Sequence, residues 1–426
     1  EYDNFANEIF MVPKIDILSE AVRAKEYQEQ QQKYIDLVKG EGIFKTLFKN
    51  LKSAGSGDGL DRIFVTGVSP VVLSDVTSGA NTFKDITWRQ NLNDLCGFNE
   101  SEVQGLLEQV IEAGDFVDEL TVTGKSSWSQ EVLDQMRRFY DGSRFVTFVR
   151  GQAVEDTPRV YNPTLTFYFL EEFLECGGYP EEMLDGNLEP DSNKLAYIAG
   201  QIQGRPLLMD ALQGQGYVTV STLRKRFGIK DLIKAEQQRE HLAILLTYLG
   251  SLTVSGRSET GNITLEIPNL VMRQLYAEQA LQMMTQENAS LLTEAQNVAE
   301  QLFAQADPQR LCAFVEDNLL SIFDNRDYRE FDELTLKSLF ISMLYYKRIY
   351  VMDSEPAILR HYGDLLLMLR PGMRDMGRFD FLFEFKYVKL KDVIIDKEKL
   401  SGEEVSAKSQ AELLEIEKID SEMDVV

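Results

Sequence analysis

Between Tyr362 and Leu390 the chain reads YGDLLLMLRPGMRDMGRFDFLFEFKYVKL, two apolar runs of strand length around a cluster of turn residues. Asp364 to Leu369 and Arg378 to Leu390 are the runs, and Arg370 to Gly377, with Pro371 and Gly372 among them, separate them. This pattern predicts a long-looped β-hairpin. The second run alternates, with Phe381, Phe383 and Phe385 toward one face and Asp380, Leu382, Glu384 and Lys386 toward the other. A turn centred on Arg374 places Asp364 opposite Glu384, with Lys386 two residues further along the same face. Ahead of the hairpin, Asp332 to Tyr346 carries Leu336, Leu339, Phe340, Met343 and Leu344 at helical spacing. That stripe predicts a helix packed on a sheet, with Glu333 near its amino end.

Elsewhere the pattern is mostly helical. Lys14 to Leu51 reads as helix and SAGSGDG as a flexible connector, because its glycines lack the Gly-Lys-Ser/Thr ending that cradles phosphates. The run Ile63 to Val65 reads as a buried strand whose end turns at Thr66, Gly67 and Ser69. Asn99 followed by Glu102 predicts a capped helix start. Ser127 to Leu174 reads as a helix, the turn FYDGSRF, a strand-like RFVTFVRG, and a second helix opening at Asn162-Pro163. Within it, Arg144 reads as an exposed or paired structural arginine, with a phosphate contact as the alternative. From Pro180 to Arg310 the chain is chiefly helical, and the order HLAILLTYLG, SLTVSG, NITLEIP, VMRQLYAEQALQMM suits a winged-helix-like module. His241 reads there as a core histidine, and Arg224-Lys225-Arg226 as a solvated face.

With 426 residues the chain is long enough for two or three domains. Three scattered cysteines and two histidines argue against structural zinc or a disulfide scaffold and fit a cytoplasmic setting. No apolar run approaches the roughly 20 residues that span a bilayer, so no membrane partner is expected. The net charge of -25 opposes non-specific adhesion to DNA. Yet Asn325 to Leu390 is close to neutral, and the acidic excess falls partly in the tail after Lys391.

The ordered segments EYDNFANEIF, IFVTGVSPVVLSDVTSGANTF, CGFNESEV, FYDGSRF and VYNPTLTFYFL resemble AAA-ATPase-like proteins that carry a carboxyl-terminal PD-(D/E)XK nuclease-superfamily domain. The resemblance implies an α/β protein with four parts: a partial AAA-ATPase-like region over 1–175, a helical, winged-helix-like domain over 176–310, a nuclease-like domain over 311–400, and an acidic tail over 401–426. It implies a remnant nucleotide site in which Glu1 corresponds to a water-polarising acid, and Thr66 and Ser69 belong to a segment that reads the γ-phosphate. The sequence contains no GxxxxGK[ST], so ATP is expected as a cofactor only if a preceding segment supplies that loop.

For the carboxyl-terminal part the resemblance implies that Asp364, Glu384 and the helix acid Glu333 hold Mg²⁺ or Mn²⁺ and that Lys386 assists the attacking water. Glu330 and Asp332 compete with Glu333 for its place, and Gly363 stands where the motif's name has proline. Gln410, in a helix-like stretch of the tail, is a candidate polar contact. The residues themselves point to related chemistry, since side-by-side carboxylates repel unless a divalent cation lies between them. Glu-x-Lys on a strand is also a common exposed ion pair, so the motif alone leaves both readings open. The expected function is hydrolysis of nucleic-acid phosphodiesters, with DNA and a homo-oligomeric or other protein partner. The competing expectation is a non-catalytic interaction scaffold or an ATP-regulated switch.

Overall fold

The computed structural model describes residues 29, 32–39, 42–55, 57, 59–68, 75, 83–114, 116, 125–149, 153–180, 183, 189–213, 218–223, 228, 231, 238–285, 288–319, 333–344, 350–354, 357–358, 361–362, 364–369, 377–385, 394–395 and 398–399. These form a mixed α/β chain, mostly helical with small sheets. It divides into two compact units, Glu1–Glu287 and Asn288–Val426. Among the described residues no helix is long and apolar enough to cross a membrane.

The first unit contains α1 (Ile43–Ala54), α2 (Glu100–Ala113), α3 (Lys125–Tyr140), α4 (Pro163–Cys176), α5 (Glu189–Ala199), α6 (Gly204–Gln213), α7 (Arg239–Tyr248) and α8 (Leu270–Met284). Its strands are β1 (Val218–Val220), β2 (Thr253–Arg257) and β3 (Ile263–Glu266), an antiparallel sheet in the order β1-β3-β2. Two helix starts are built as the sequence suggests. Asn99 and Glu102 form a reciprocal capping box on α2, and Asn162 caps α4, which has Pro163 in its first turn. An aromatic cluster fills the space between α3 and α4, where Trp128, Phe116, Phe169 and Phe173 pack with ring centroids 5.1–5.4 Å apart.

The helix–hairpin–helix order α7, β2, β3, α8 is present, and β1 completes a three-stranded sheet beside β3. In α7, however, every residue from His241 to Thr247 is buried. A helix enclosed on all faces has none to lay in a DNA groove, so α7 is the spine of this unit's core and His241 is a core residue.

Two expected strands are corrected. Ile63 to Val65 forms no strand; it is irregular, with Ile63 and Val65 half-buried and Phe64 66% exposed. Three apolar residues make a buried strand only where neighbours pair with them, and among the described residues none does. Arg144 to Val149 is also irregular, because side chains take the bonds a ladder would use. The Arg144 N–H donates to Thr253 Oγ1 at 2.8 Å and the Phe145 N–H to Asn93 Oδ1 at 2.9 Å.

Arg144 itself is buried, and its guanidinium donates to the carbonyls of Thr157 (3.0 Å), Glu155 (2.9 Å), Val254 and Ser255 (both 3.4 Å). Its Nε and both Nη atoms donate to backbone, so it ties the irregular segment to β2 and is not presented to a phosphate. Arg144→Met leaves these carbonyls without their donor and is expected to destabilise the protein by ~3 kcal/mol in urea unfolding. A loss under ~1 kcal/mol would show that water replaces the guanidinium readily.

The second unit contains α9 (Ala289–Gln305), α10 (Gln309–Phe314), a π-helical turn over Val315–Leu319, and α11 (Glu333–Leu344). The strands are β4 (Tyr350–Ser354), β5 (Ala357–Ile358), β6 (His361–Tyr362), β7 (Leu365–Leu369), β8 (Phe381–Phe383), β9 (Ile394–Ile395) and β10 (Glu398–Lys399). β4, β7 and β8 form an antiparallel sheet with β7 in the centre; β5 pairs with β6 and β9 with β10.

Candidate functional site

The β4-β7-β8 sheet of the second unit has two unlike faces. Along β7, Leu365, Leu367 and Leu369 are buried while Leu366 and Met368 are only half-buried. The register Leu365↔Phe383, Leu366↔Leu382 and Leu367↔Phe381 puts the phenylalanines on the same side as the buried leucines. Phe381, Phe383 and Phe385 stack along the strand at 6.0 and 6.2 Å. Phe340 of α11 covers Phe385 at 4.9 Å and Phe383 at 6.5 Å, and Phe303 of α9 covers Tyr350 at 4.6 Å and Phe381 at 6.1 Å. Burial of this face, worth about 1.5–3 kcal/mol for each fully enclosed large side chain, holds the helices to the sheet. Of the expected apolar stripe of α11, Phe340, Met343 and Leu344 are buried, but so are Lys337, Ile341 and Ser342 off the stripe, so the helix is enclosed on more than one face, and the side chains of Leu336 and Leu339 lie outside the described residues.

The other face is less covered among the described residues. It presents Leu382, 58% exposed, with half-buried Leu366 and Met368. Continuing the β7–β8 register by one row brings Asp364 opposite Glu384, the pairing expected from a turn centred on Arg374. Asp364 is half-buried and Glu384 exposed. The Phe385 N–H donates to Asp364 Oδ2 at 2.6 Å. This bond orients the Asp364 carboxylate against the residue that follows Glu384 and leaves Oδ1 for another partner.

At the far end of the ladder the same device recurs. The Leu369 N–H donates to Asp380 Oδ1 at 2.7 Å, and the Tyr350 hydroxyl donates to the Phe379 carbonyl at 2.9 Å. Tyr350 lies opposite Leu369 on β4, so its phenol spans β7 to reach the strand beyond. Burial pushes that phenol up to about 12, which keeps it a neutral donor. These two end clamps were not read from the sequence, although an Asp just before each strand was visible there.

Glu333 begins α11, but its side chain lies outside the described residues, as do Lys386, Gln410, Glu1 and Ser69. Thr66 is exposed in the irregular segment after Ile63 to Val65. Of the expected site residues, Asp364 and Glu384 fall in one row where the register is continued past the Leu365↔Phe383 pair. Among the described residues no three His, Cys, Asp or Glu side chains form a group able to hold a metal ion. Two carboxylates on adjacent strands still suit a hard divalent cation, which takes oxygen ligands and retains several waters. No family model, curated protein or solved structure matches the chain.

A second cluster of ionisable groups lies in the first unit, at the FYDG turn. Arg137 makes two bonds to Glu100 at 2.8 and 2.9 Å and one to Asp134 at 2.8 Å, while Arg159 pairs with Glu266 at 2.8 Å. Both cations are thus engaged by other acids. Asp141 Oδ1 and the Tyr161 hydroxyl are buried beside them without a hydrogen-bond partner. Burial, the leading cause, raises the Asp141 carboxyl above its ordinary range.

The consequence for stability has a definite sign. A carboxyl that is harder to ionise in the folded state favours folding while protonated, and loses that contribution as pH climbs from the ordinary carboxylate range through the raised folded value. Asp141→Asn, neutral at every pH, is expected to be more stable than the parent at pH 8 by ~1 kcal/mol and to lose this advantage at pH 4. Thermal unfolding at both pH values checks this; an equal difference at both would contradict it.

Proposed function

We propose that the second unit is a nuclease-superfamily, PD-(D/E)XK-type domain that hydrolyses nucleic-acid phosphodiesters with the help of Mg²⁺ or Mn²⁺. What supports this reading is the β7–β8 register, which, continued by one row, sets Asp364 opposite Glu384 on the face of the sheet away from the helices. Like charges directly opposite one another weaken a β pair, and a divalent cation held between them removes that cost.

In this reading Asp364 Oδ1 and the Glu384 carboxylate hold the cation, and the Phe385 N–H keeps the Asp364 side chain turned toward its neighbour strand. Glu333, at the amino end of α11, supplies the outer acid, and Lys386 orients or neutralises at the attacking water. The cation makes a bound water more acidic and offsets charge on the scissile phosphate. The near-neutral balance of Asn325 to Leu390 is compatible with a polyanion approaching this part of an otherwise acidic protein.

Incubating the full chain with plasmid and with single-stranded DNA, in Mg²⁺ or Mn²⁺, tests the reading. Cleavage that requires the metal and disappears in Lys386→Ala supports it; equal cleavage by parent and variant removes it.

A second reading rests on the same hydrogen bond. A carboxylate that accepts a backbone N–H at a ladder end is a structural clamp, and Asp380 has that role at the other end. The hairpin is then a scaffold for a protein partner and the acids bind no metal. The AAA-like region remains an inference from resemblance, and its ATP-dependent role depends on a P-loop that this sequence does not contain.

A further inference from the structure

The apolar pattern of the hairpin does not by itself select the register seen. Phenylalanine recurs at 379, 381, 383 and 385, and leucine at 365, 367 and 369. Sliding β8 by two residues keeps a phenylalanine opposite each of these leucines and leaves every side chain on its face. Nor does the connection select it, since residues 370 to 380 are too long for a tight turn to dictate the pairing. Charge selects against it. In the observed register Asp364 faces Glu384, whereas a slip of two puts residue 386, a lysine, opposite Asp364.

What distinguishes the observed register is the set of side-chain-to-backbone contacts. Each clamp aspartate accepts the N–H of the residue just after its own cross-strand partner: Asp364 from Phe385, and Asp380 from Leu369. After the slip that would pair Asp364 with Lys386, the same rule directs Asp380 to residue 371. That residue is proline, whose nitrogen carries no hydrogen. The opposite slip sends Asp380 to the N–H of Leu367, which lies in the middle of the ladder. Tyr350 adds a second constraint, because its hydroxyl meets the Phe379 carbonyl across β7 only while Phe379 is level with Leu369.

We propose that Asp380, supported by Tyr350, is the register-setting residue of the hairpin, a positioning residue that forces Asp364 and Glu384 side by side against their mutual repulsion. Its relevance to catalysis rests on the metal-site reading above, but the register role stands by itself.

Paired cysteines report the register directly. In the full chain, with Cys96, Cys176 and Cys312 replaced by serine, Leu366→Cys is combined either with Leu382→Cys, which the observed register joins, or with Glu384→Cys, which a slip of two joins. On oxidation the first pair is expected to cross-link about tenfold faster than the second. Asp380→Ala is expected to bring the two rates within roughly a factor of two, whereas Asp380→Asn, which still offers an oxygen to Leu369, retains the parental ratio. An unchanged ratio in Asp380→Ala overturns the proposal, as does an equal collapse in Asp380→Asn. Mn²⁺ titration of the cysteine-unaltered chain separates the two claims. A register shift without Mn²⁺ binding by the parent leaves Asp380 as the register key and removes only the metal-site reading.

Discussion

Asp364→Ala and Asp364→Asn are both expected to lose metal-dependent DNA cleavage by about a thousandfold or more, but to differ in stability. Alanine removes a cation ligand and also leaves the Phe385 N–H without its acceptor at the ladder end. Asparagine keeps an oxygen for that N–H and removes only the charge. If the carboxylate holds a cation, its charge is what catalysis needs, so the two variants are equally inactive. For folding the expectation divides: Asp364→Ala loses ~1 kcal/mol with the hydrogen bond, while Asp364→Asn, no longer repelling Glu384, matches or exceeds the parent. A scaffold predicts the same stabilities and no activity to lose. The informative comparison is therefore cleavage by Asp364→Asn beside its unfolding curve, because loss of activity in a fully stable protein has no structural explanation. Retained cleavage in Asp364→Asn would assign Asp364 to the clamp alone.

The largest expected effect on stability lies in the other unit. Gly142, in the FYDG turn, has φ +133°, and a Cβ there would stand 1.8 Å from the Pro268 carbonyl oxygen and 2.6 Å from its carbon. The backbone conformation is one that side chains rarely adopt, and the obstacle is main chain just ahead of α8, not a side chain that could rotate away. Strain and overpacking together are expected to cost on the order of 4 kcal/mol in Gly142→Ala, enough to consume a large part of a domain's stability. Chemical unfolding measures it, and a loss below ~1 kcal/mol would mean that the turn and Pro268 can separate without consequence.

How much of this was legible in the sequence depended on whether the signal was periodic and local. The hairpin was readable because alternation fixes the face and the turn residues cluster around Arg374, which together lead to Asp364 opposite Glu384. The caps at Asn99 and Asn162 were readable because capping is a contact between residues three apart. Ile63 to Val65 and Arg144 to Val149 misled because a short apolar run describes what the chain could pair with, not whether a partner is there. In the second case the partners are single side chains, Thr253 and Asn93, distant in sequence. Arg144 was foreseen as structural, but its four carbonyl partners belong to two separate segments that no spacing links. Asp380 and Tyr350 were hidden for a related reason: their targets are backbone groups, which every residue has, so composition carries no trace of the choice.

The two clusters of ionisable groups also differ in kind. At the FYDG turn both arginines are engaged by Glu100, Asp134 and Glu266, and Asp141 has one carboxyl oxygen buried without a hydrogen-bond partner. On the hairpin Asp364 is half-buried and Glu384 exposed, in the row next to the Leu365↔Phe383 pair. The first arrangement bears on stability, and the second is the one on which the proposed metal site rests.

Calorimetric titration of Mn²⁺ into the full chain decides between a metal site and a structural clamp at Asp364 and Glu384. A metal site held by Asp364 and Glu384 gives a binding isotherm with one Mn²⁺ per chain for the parent and for Asp380→Asn, and none for Glu384→Gln. No Mn²⁺ binding by the parent, or an isotherm that Glu384→Gln leaves unchanged, would contradict it.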